Sequence, residues 1–227
     1  TITIAANDGQ TSGQFSRQVT LSPVNDAPTV SAATVSVNED TPLAFTAADF
    51  TGHYSDPEAQ TLSSVKITQL PANGILTLTR NGTTSPVTLF QEIAEADLGG
   101  LKFVPTADFN GTTSFLWKGS DGTLFSDAAT AMTITVNPVN DAPRLTGANT
   151  ALAYVEGAAA TPVDPTLALT DIDNASLTGA TVTVGNYVAG QDLLSFTNTL
   201  GITGSWSAGV LTLSGSASIA NYQAALR

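Results

Sequence analysis

One hexapeptide occurs twice in this chain and constrains its organisation more than any other feature. Pro-Val-Asn-Asp-Ala-Pro covers residues 23–28 and again 138–143, so its two asparagines lie 140 − 25 = 115 residues apart. Proline fixes φ and has no amide hydrogen, so a segment with proline at both ends cannot lie within a central strand. Self-similarity at a fixed period is the signature of a repeat protein. We therefore interpret the two copies as linkers between repeats.

The period divides the 227 residues into one complete repeat and two incomplete ones. We predict that residues 1–27 hold the C-terminal strands of a preceding repeat plus its linker. Residues 28–142 would form a complete repeat, whose size is ordinary for a domain. Residues 143–227 would form a repeat that lacks its last strands. Two strands alone do not make a stable domain, so residues 1–22 are interpreted as the tail of a repeat.

Charge and composition exclude several classes of function. The chain has 19 acidic and 7 basic residues and a net charge of −12, which disfavours binding to nucleic acids and anionic membranes. It has no cysteine and therefore no disulfide or thiol chemistry. We interpret its single histidine, His53, as a loop residue, which argues against a Ser-His-Asp triad. No apolar run is long enough to span a bilayer. We expect no nucleic-acid partner and no membrane insertion.

Short strand-like runs separated by turn residues fill the complete repeat. An Asn-Gly pair at residues 81–82 is a strong hairpin signal. Such spacing predicts an all-β fold of antiparallel β-sandwiches, with Phe45, Phe103, Phe115 and Trp117 in the core. The predicted strands are 34–37, 43–46, 62–69, 74–79, 86–90, 100–104, 113–118 and 130–136, with a helical turn at 92–98 and N-terminal strands at 1–4 and 17–21.

Acidic and amide residues occupy the predicted turns and strand ends. Asp56-Pro-Glu58 and Asp171-Ile-Asp173 lie at matching positions of two repeats. Calcium binds carboxylate, amide and carbonyl oxygens in tolerant geometry, and no residue pattern here suits a softer metal. Asp and Asn also favour turns without any metal, because their side chains bond the local backbone. That second interpretation stays open for an isolated residue such as Asp121.

The linker, following a strand such as residues 132–136, resembles the inter-repeat linker of the cadherin-like repeats in giant bacterial surface adhesins, including RTX-type adhesins. The resemblance covers essentially the whole chain. It implies tandem immunoglobulin/cadherin-like Greek-key sandwiches, calcium (Ca2+) at each joint, and a location outside the cell or on the bacterial surface. The partners that it implies are neighbouring repeats of the same protein.

The resemblance also implies which residues bind calcium at the two joints. An acidic residue after the first strand and an Asp-x-Glu motif come from one repeat, Asn and Asp from the linker, and further acidic residues from the next repeat. The first joint would use Asn25, Asp26, Asp56, Glu58 and Asp121, and the second would use Glu39, Asp108, Asn110, Asn140, Asp141, Asp171 and Asp173.

The chain departs from the cadherin pattern in three places. Pro23 and Pro138 stand where the cadherin linker carries an additional Asp, and Asn110 stands where a Glu is expected. Each departure removes a negative charge, so we expect fewer or weaker calcium ions than at a cadherin joint. By the same resemblance Asp8 corresponds to Asp121, and Glu156 corresponds to Glu39.

These observations favour a structural module: calcium-stiffened extension repeats of a large secreted adhesin or surface filament. The alternative is a carbohydrate- or protein-binding sandwich. A pair such as Asp56 and Glu58 can serve as acid and base in glycoside hydrolysis, but its recurrence in two repeats argues against an enzyme. We also expect residues 1–22 either to pack locally or to complete the last repeat of another copy, which would give head-to-tail assembly.

Overall fold

The computed structural model describes residues 1–148, 151–155 and 157–227 of the chain. These residues form two compact units, Thr1–Pro138 and Val139–Arg227. Strands dominate both units, which confirms the predicted all-β fold. No helix in the described residues is long and apolar enough to cross a lipid bilayer.

The first unit is built from short strands, with one helical turn, α1 (Ala48–Thr51), and one 3-10 helix (Glu95–Gly100). The 3-10 helix overlaps the helical turn predicted at 92–98, but the first three residues of that prediction form a strand instead. α1 is not predicted. The strands are β1 (Ile2–Asn7), β2 (Ser12–Arg17), β3 (Thr29–Val30), β4 (Ala33–Asn38), β5 (Leu43–Ala44), β6 (Tyr54–Ser55), β7 (Ser64–Gln69), β8 (Gly74–Arg80), β9 (Thr83–Pro86), β10 (Glu92–Ala94), β11 (Leu101–Pro105), β12 (Gly111–Ser120) and β13 (Thr130–Asn137).

Two sheets form a sandwich in the first unit. One has the order β10-β7-β12-β13-β4 and the other the order β5-β11-β8-β9, while β3 pairs separately with β6. Neighbouring strands are antiparallel except β4 and β13, which run parallel and pair from Ala33 with Met132 to Asn38 with Asn137. The two ends of the sandwich are therefore the two ends of β12 and β13.

The core of this sandwich is aromatic. Alternate residues of β12 point inward, as expected for a strand with one buried face. The ring of Phe115 meets that of Phe45 edge-on at 5.7 Å, and Trp117 meets Phe50 edge-on at 5.2 Å, an arrangement that aromatic pairs prefer. The predicted core residues Phe45, Phe103, Phe115 and Trp117 are all buried, and Phe50 of α1 joins them.

The predicted strand at 86–90 is wrong, because the hairpin turn sets a different register. Asn81 and Gly82 both have positive φ, 51° and 77°, and this two-residue turn pairs the last residue of β8 directly with the first of β9. The strand therefore ends where the predicted one begins. The next residues turn, with the Gln91 amide donating to the Thr88 carbonyl at 3.1 Å.

The predicted strand at 17–21 is also wrong. Asp8 Oδ1 accepts hydrogen bonds from the amides of Gln10 (2.9 Å) and Thr11 (2.7 Å). This tight turn pairs the end of β1 with the start of β2, so the second strand lies earlier than predicted. Residues 18–28 contain no strand, as expected for a proline-bounded linker.

The β1–β2 hairpin is a sheet of its own. Its register runs from Ile2 opposite Arg17 to Asn7 opposite Ser12. Among the described residues no other strand pairs with it, and every residue of both strands is exposed. Within this chain, therefore, the strands of residues 1–22 pair only with each other.

Among the described residues, the second unit has a two-stranded sheet, a three-stranded sheet and a C-terminal helix. Its core contains Leu169, Ile202, Leu211, Leu213 and the fully buried Tyr222, whose hydroxyl donates to the Gly215 carbonyl at 2.6 Å. The elements are β14 (Arg144–Thr146), β15 (Ala168–Thr170), β16 (Ser176–Thr183), β17 (Thr203–Ser207), β18 (Val210–Ser218) and α2 (Ile219–Leu226).

Candidate metal centre

The predicted ligands of the first unit separate to opposite ends of the sandwich. β12 has 10 residues and, at a rise of about 3.3 Å per residue, is about 33 Å long. Asn110 immediately precedes it and Asp121 immediately follows it. We call the residues at the Asp121 end the first linker set and those at the Asn110 end the far-end set. The first linker set contains Asn25, Asp26, Asp56, Glu58 and Asp121, and the far-end set contains Glu39, Asp40, Asp108 and Asn110.

Linker residues contact the body of the repeat through the first linker set. Asn25 Nδ2 donates to Asp121 Oδ2 at 2.8 Å, and the Asp26 amide donates to Glu58 Oε2 at 3.2 Å. Gln60 Nε2 donates to Asn25 Oδ1 at 2.8 Å. The structure thus brings the linker asparagine and aspartate together with the predicted carboxylates of the repeat that follows them.

Asp56 is half-buried, as is Asp121, whereas the other carboxylates of this set are exposed. Its Oδ1 accepts hydrogen bonds from the amides of Glu58 (2.9 Å) and Gln60 (3.0 Å), which closes the turn after β6. Its Oδ2 and the Tyr54 hydroxyl are both buried and lie close to each other, but neither has a hydrogen-bond partner at good geometry. A buried acceptor without a partner requires an explanation, such as a bound ion or water.

The electrostatics of the set act on Tyr54. Burial raises the pKa of Tyr54 to about 12, and the negative charges of Asp56 and then Asp121 act in the same direction. The side chain of Asn25, followed by the backbone amides of Leu124 and Thr123, lowers the pKa of Asp121. Negative charge is therefore concentrated around the linker.

A second linker set in the second unit repeats the first. The Asp141 amide donates to Asp173 Oδ2 at 2.6 Å, as the Asp26 amide does to Glu58. Asn174 Nδ2 donates to Asn140 Oδ1 at 2.7 Å. Asp171 Oδ1 closes the turn by accepting from the amides of the two residues 173 and 174. We define this set as Asn140, Asp141, Asp171, Asp173 and Asn174.

The strands that carry both linker sets also correspond. β14 pairs with β15 in the register in which β3 pairs with β6, each residue lying one period after its counterpart. Identical pairing places the linker and the Asp-x-acid motif side by side in both units. The corresponding pairs are Thr29 with Ser55 and Val30 with Tyr54 in the first unit, and Arg144 with Thr170 and Leu145 with Leu169 in the second.

The far-end set lies where β13 leaves the sandwich. Glu39 is 2% exposed and accepts a hydrogen bond from Asn110 Nδ2 at 3.3 Å. The Asp108 amide donates to Asp40 Oδ1 at 3.1 Å, and both aspartates have left-handed backbone, with φ of 58° and 56°. Aspartate tolerates this conformation better than most residues. Glu156, the predicted counterpart of Glu39, lies outside the described residues.

Sequence reasoning missed two amide side chains, of Gln60 and Asn174, and the tyrosine Tyr54, which lie at the linker sets. Gln60 follows Glu58 by two residues and Asn174 follows Asp173 by one. Comparison at a strict 115-residue offset does not align these amides, so the period hides their common role. Tyr54 gives no signal in the sequence, because its closeness to Asp56 and Asp121 depends on the fold.

A comparison with protein families agrees with this architecture. Residues 25–136 match the family described as "Bacterial Ig domain", a non-catalytic family. No curated protein matches the chain.

Two solved structures of an endo-fucoidan hydrolase of glycoside hydrolase family 107, one of them a single-residue variant, are similar at 15% and 16% identity, with TM-scores of 0.29 and 0.28. The chain is covered to 95% and 94% in these comparisons but spans only 29% of each hydrolase chain. TM-scores this low carry no argument about fold or activity. The stretch from the first linker to the end of β13 is a bacterial immunoglobulin-type repeat.

Proposed function

We propose that the chain is an extension segment of a larger bacterial surface adhesin or filament, in which calcium fixes each linker to the repeat that follows it. One observation carries the proposal: the linker aspartate donates its amide to the second acid of the Asp-x-acid motif in both units, Asp26 to Glu58 and Asp141 to Asp173. A catalytic or recognition site has no reason to recur at every joint, whereas a structural contact between a linker and its repeat is needed at each one.

The donor set suits calcium. Side-chain oxygens of carboxylates and amides are the ligands that Ca2+ prefers, and both linker sets consist of these groups. In the described part of the chain, Asp26, Asp56, Glu58 and Asp121 make no salt bridge to a basic side chain. Four like charges at one end of a sandwich repel one another, and a divalent cation would convert that repulsion into shared coordination. The buried Oδ2 of Asp56 would gain a partner.

Stiffening follows from where the ligands lie. Prolines already restrict φ at both ends of the linker. An ion held by Asn25 or Asp26 together with Asp56 and Glu58 would tie the linker peptide to the turn after β6. The direction in which the chain enters the repeat would then be fixed. Repeated at every joint, this restraint would reduce the bending between successive repeats.

Calcium titration of the 227-residue chain tests the binding step. We expect isothermal titration calorimetry to detect binding, and Glu58→Gln to weaken it about tenfold, or about 1.4 kcal/mol. Asp127→Asn is the matched control, because it removes an exposed charge from the loop after Asp121 without touching the linker set. No binding heat, or an equal effect of both variants, would contradict the proposal.

Chelation tests the mechanical step. At calcium one hundred times above Kd, binding to the folded state alone adds about 2.7 kcal/mol of stability. We expect chelator to lower Tm, to speed proteolysis within residues 23–28 and 138–143, and to broaden the distance distribution in small-angle X-ray scattering. Unchanged cleavage and scattering, with calcium binding intact, would show that the ion does not stiffen the linker.

A further inference from the structure

Asparagine followed by glycine occurs three times in the chain, at residues 73–74, 81–82 and 110–111. This dipeptide is chemically labile, because glycine has no Cβ to keep its own amide nitrogen away from the asparagine side chain. All three pairs lie in the first unit, at a turn or at the start of a strand. Their surroundings differ, and the surroundings decide which pair can react.

The pair at 73–74 is fixed by the sheet. Gly74 pairs with Pro105 of β11, and a Cβ on Gly74 would lie only 2.5 Å from the Phe103 ring. The Asn73 carbonyl also accepts a hydrogen bond from the Thr106 amide at 3.2 Å. The Gly74 nitrogen therefore cannot approach the Asn73 side chain unless this end of β8 opens.

The pair at 110–111 is restrained at both residues. Asn110 Nδ2 donates to Glu39 Oε2 at 3.3 Å, and Glu39 is buried. Gly111 begins β12 and pairs with Val136 of β13. Reaction at this pair would require both the loss of a side-chain hydrogen bond and the opening of a residue pair in the sheet.

The pair at 81–82 has neither restraint. It forms the two-residue turn between β8 and β9, and both of its residues are exposed. In the part of the chain that the structure describes, neither the Asn81 side chain nor the Gly82 amide makes a hydrogen bond. A Cβ on Gly82 would meet nothing within 4 Å. The glycine nitrogen and the side-chain amide are thus adjacent, unbonded and open to water.

We propose that Asn81 is a site of spontaneous modification, at which the folded chain is converted to its aspartate and isoaspartate forms without an enzyme. The Gly82 amide nitrogen attacks Asn81 Cγ, and the Cγ–Nδ2 bond breaks. Ammonia leaves with the proton that the Gly82 nitrogen loses, and a succinimide ring remains. Because that nitrogen must give up its proton, the reaction is faster at higher pH.

Water then opens the ring on either side of the Gly82 nitrogen. Opening at Cγ restores the ordinary peptide bond and gives aspartate, whereas opening at the main-chain carbonyl carbon leaves the chain running through Cγ and gives isoaspartate. Water is the only co-reactant, and no group is oxidised or reduced. The modification is separate from the proposed extension function and does not depend on calcium, because residues 81–82 belong to neither linker set.

The products change the β8–β9 hairpin in two ways. Both add a negative charge beside Arg80, whose guanidinium pairs with Asp97 at 2.9 Å. Isoaspartate also inserts a methylene into the backbone of a two-residue turn, and turn length sets hairpin register, so the pairing of Thr79 with Thr84 is no longer favoured. β9 is exposed along its length and, among the described residues, pairs with β8 alone. We expect β9 to loosen while the core stays folded.

Timed incubation followed by tryptic mass spectrometry tests the site. Trypsin cleaves after lysine and arginine, which places the three Asn-Gly pairs in three separate peptides, 67–80, 81–102 and 103–118. In the folded chain we expect peptide 81–102 to convert from amide to acid at least about tenfold faster than the other two, because their glycines must first leave the sheet. Incubation in heavy-oxygen water should add a solvent oxygen to the product, as ring opening by water requires.

The same incubation in guanidinium chloride is the matched control. Unfolding removes the restraints at residues 73–74 and 110–111, so we expect the three peptides of the unfolded chain to convert at similar rates. Equal rates in the folded chain, faster conversion at Asn73 or Asn110, or an unreactive Asn81 would overturn the proposal.

Hydrogen exchange tests the consequence for the hairpin. We expect the amides of residues 83–86 to exchange faster in the isoaspartate form than in freshly prepared chain, with the exchange of β12 unchanged. Asn81→Asp is the control variant, because it adds the same charge without lengthening the backbone. Equal exchange of residues 83–86 in the isoaspartate form and in this variant would refute the effect on register.

Discussion

The hairpins β12–β13 and β1–β2 both turn at an Asp-Gly pair but have opposite surroundings. Trp117 lies four residues before the turn residue Asp121, as Ile4 lies four residues before Asp8. Trp117 is fully buried at the centre of an aromatic core, while its counterpart Ile4 is 62% exposed. Asp121 accepts a hydrogen bond from a linker asparagine, whereas among the described residues the Asp8 side chain bonds only within its own turn. The difference shows that turn chemistry and strand alternation suffice to form this hairpin, while burial and ligand contacts come from the repeat around it.

The largest difference in stability between the two hairpins is expected at the buried Trp117 and its exposed counterpart Ile4. Trp117→Ala removes a side chain from a close-packed core, and such truncations cost about 3–5 kcal/mol. Ile4→Ala removes an exposed side chain and should change the free energy of unfolding by less than about 0.5 kcal/mol. Urea denaturation of both variants at a concentration where the chain is monomeric measures the difference. Similar losses would show that β1–β2 has a core of its own.

A smaller contrast is expected at the glycine of β12. A Cβ at Gly119 would lie 2.9 Å from Tyr54 and 3.1 Å from both Leu62 and Val30. Gly119→Ala should therefore destabilise the first unit by about 1–3 kcal/mol, the usual cost of overpacking. Its counterpart Ala6 already carries a Cβ and is exposed. Ala6→Gly should cost less than about 1 kcal/mol, as measured by the same urea titrations.

The turn aspartates of the two hairpins, Asp121 and Asp8, are expected to differ in their effect on calcium affinity. Asp121→Asn removes a carboxylate of the first linker set, and we expect about a tenfold loss of calcium affinity, or about 1.4 kcal/mol. Asp8→Asn should leave the affinity of monomeric chains unchanged. Calorimetric titration at low protein concentration measures both. An equal effect would mean that the charge of the whole chain, and not the linker set, controls binding.

The smallest expected effect is a change in the pKa of one turn aspartate. Turn amides lower the pKa of both aspartates below 3.8, and Asn25 adds the largest contribution at Asp121. Because these pKa values are lowered by folding, the stabilisation is present above pH 3.8 and is lost as the pH falls through the folded values. Asn25→Ala should raise the pKa of Asp121 and leave that of Asp8 unchanged. Side-chain NMR titration of the carboxyl carbons follows both groups.

The sequence predicts the sandwich because its alternation and turns are local signals. Asn81-Gly82 and the apolar positions of β12 and β13 are enough to place the main strands. The linker sets follow from the repetition itself, which aligns Asp56 with Asp171 and Glu58 with Asp173.

Other features depend on contacts that no local pattern encodes. α1 has four residues, too few for a helical period, yet it brings Phe50 into the core. Gln60 and Asn174 differ by one place within the period, so only the folded chain shows that both donate to a linker asparagine. The exposure of Ile4 is likewise invisible in the sequence, because its alternation is that of a buried strand.

The parallel pairing of β4 with β13 decides how the first repeat responds to force. Tension on a chain of repeats enters through the first linker and leaves after β13, so it pulls the start of β4 and the end of β13 in opposite directions along the strands. Six residue pairs, from Ala33–Met132 to Asn38–Asn137, then resist together. A shear geometry of this kind breaks its hydrogen bonds all at once, whereas an antiparallel terminal pair would unzip one bond at a time.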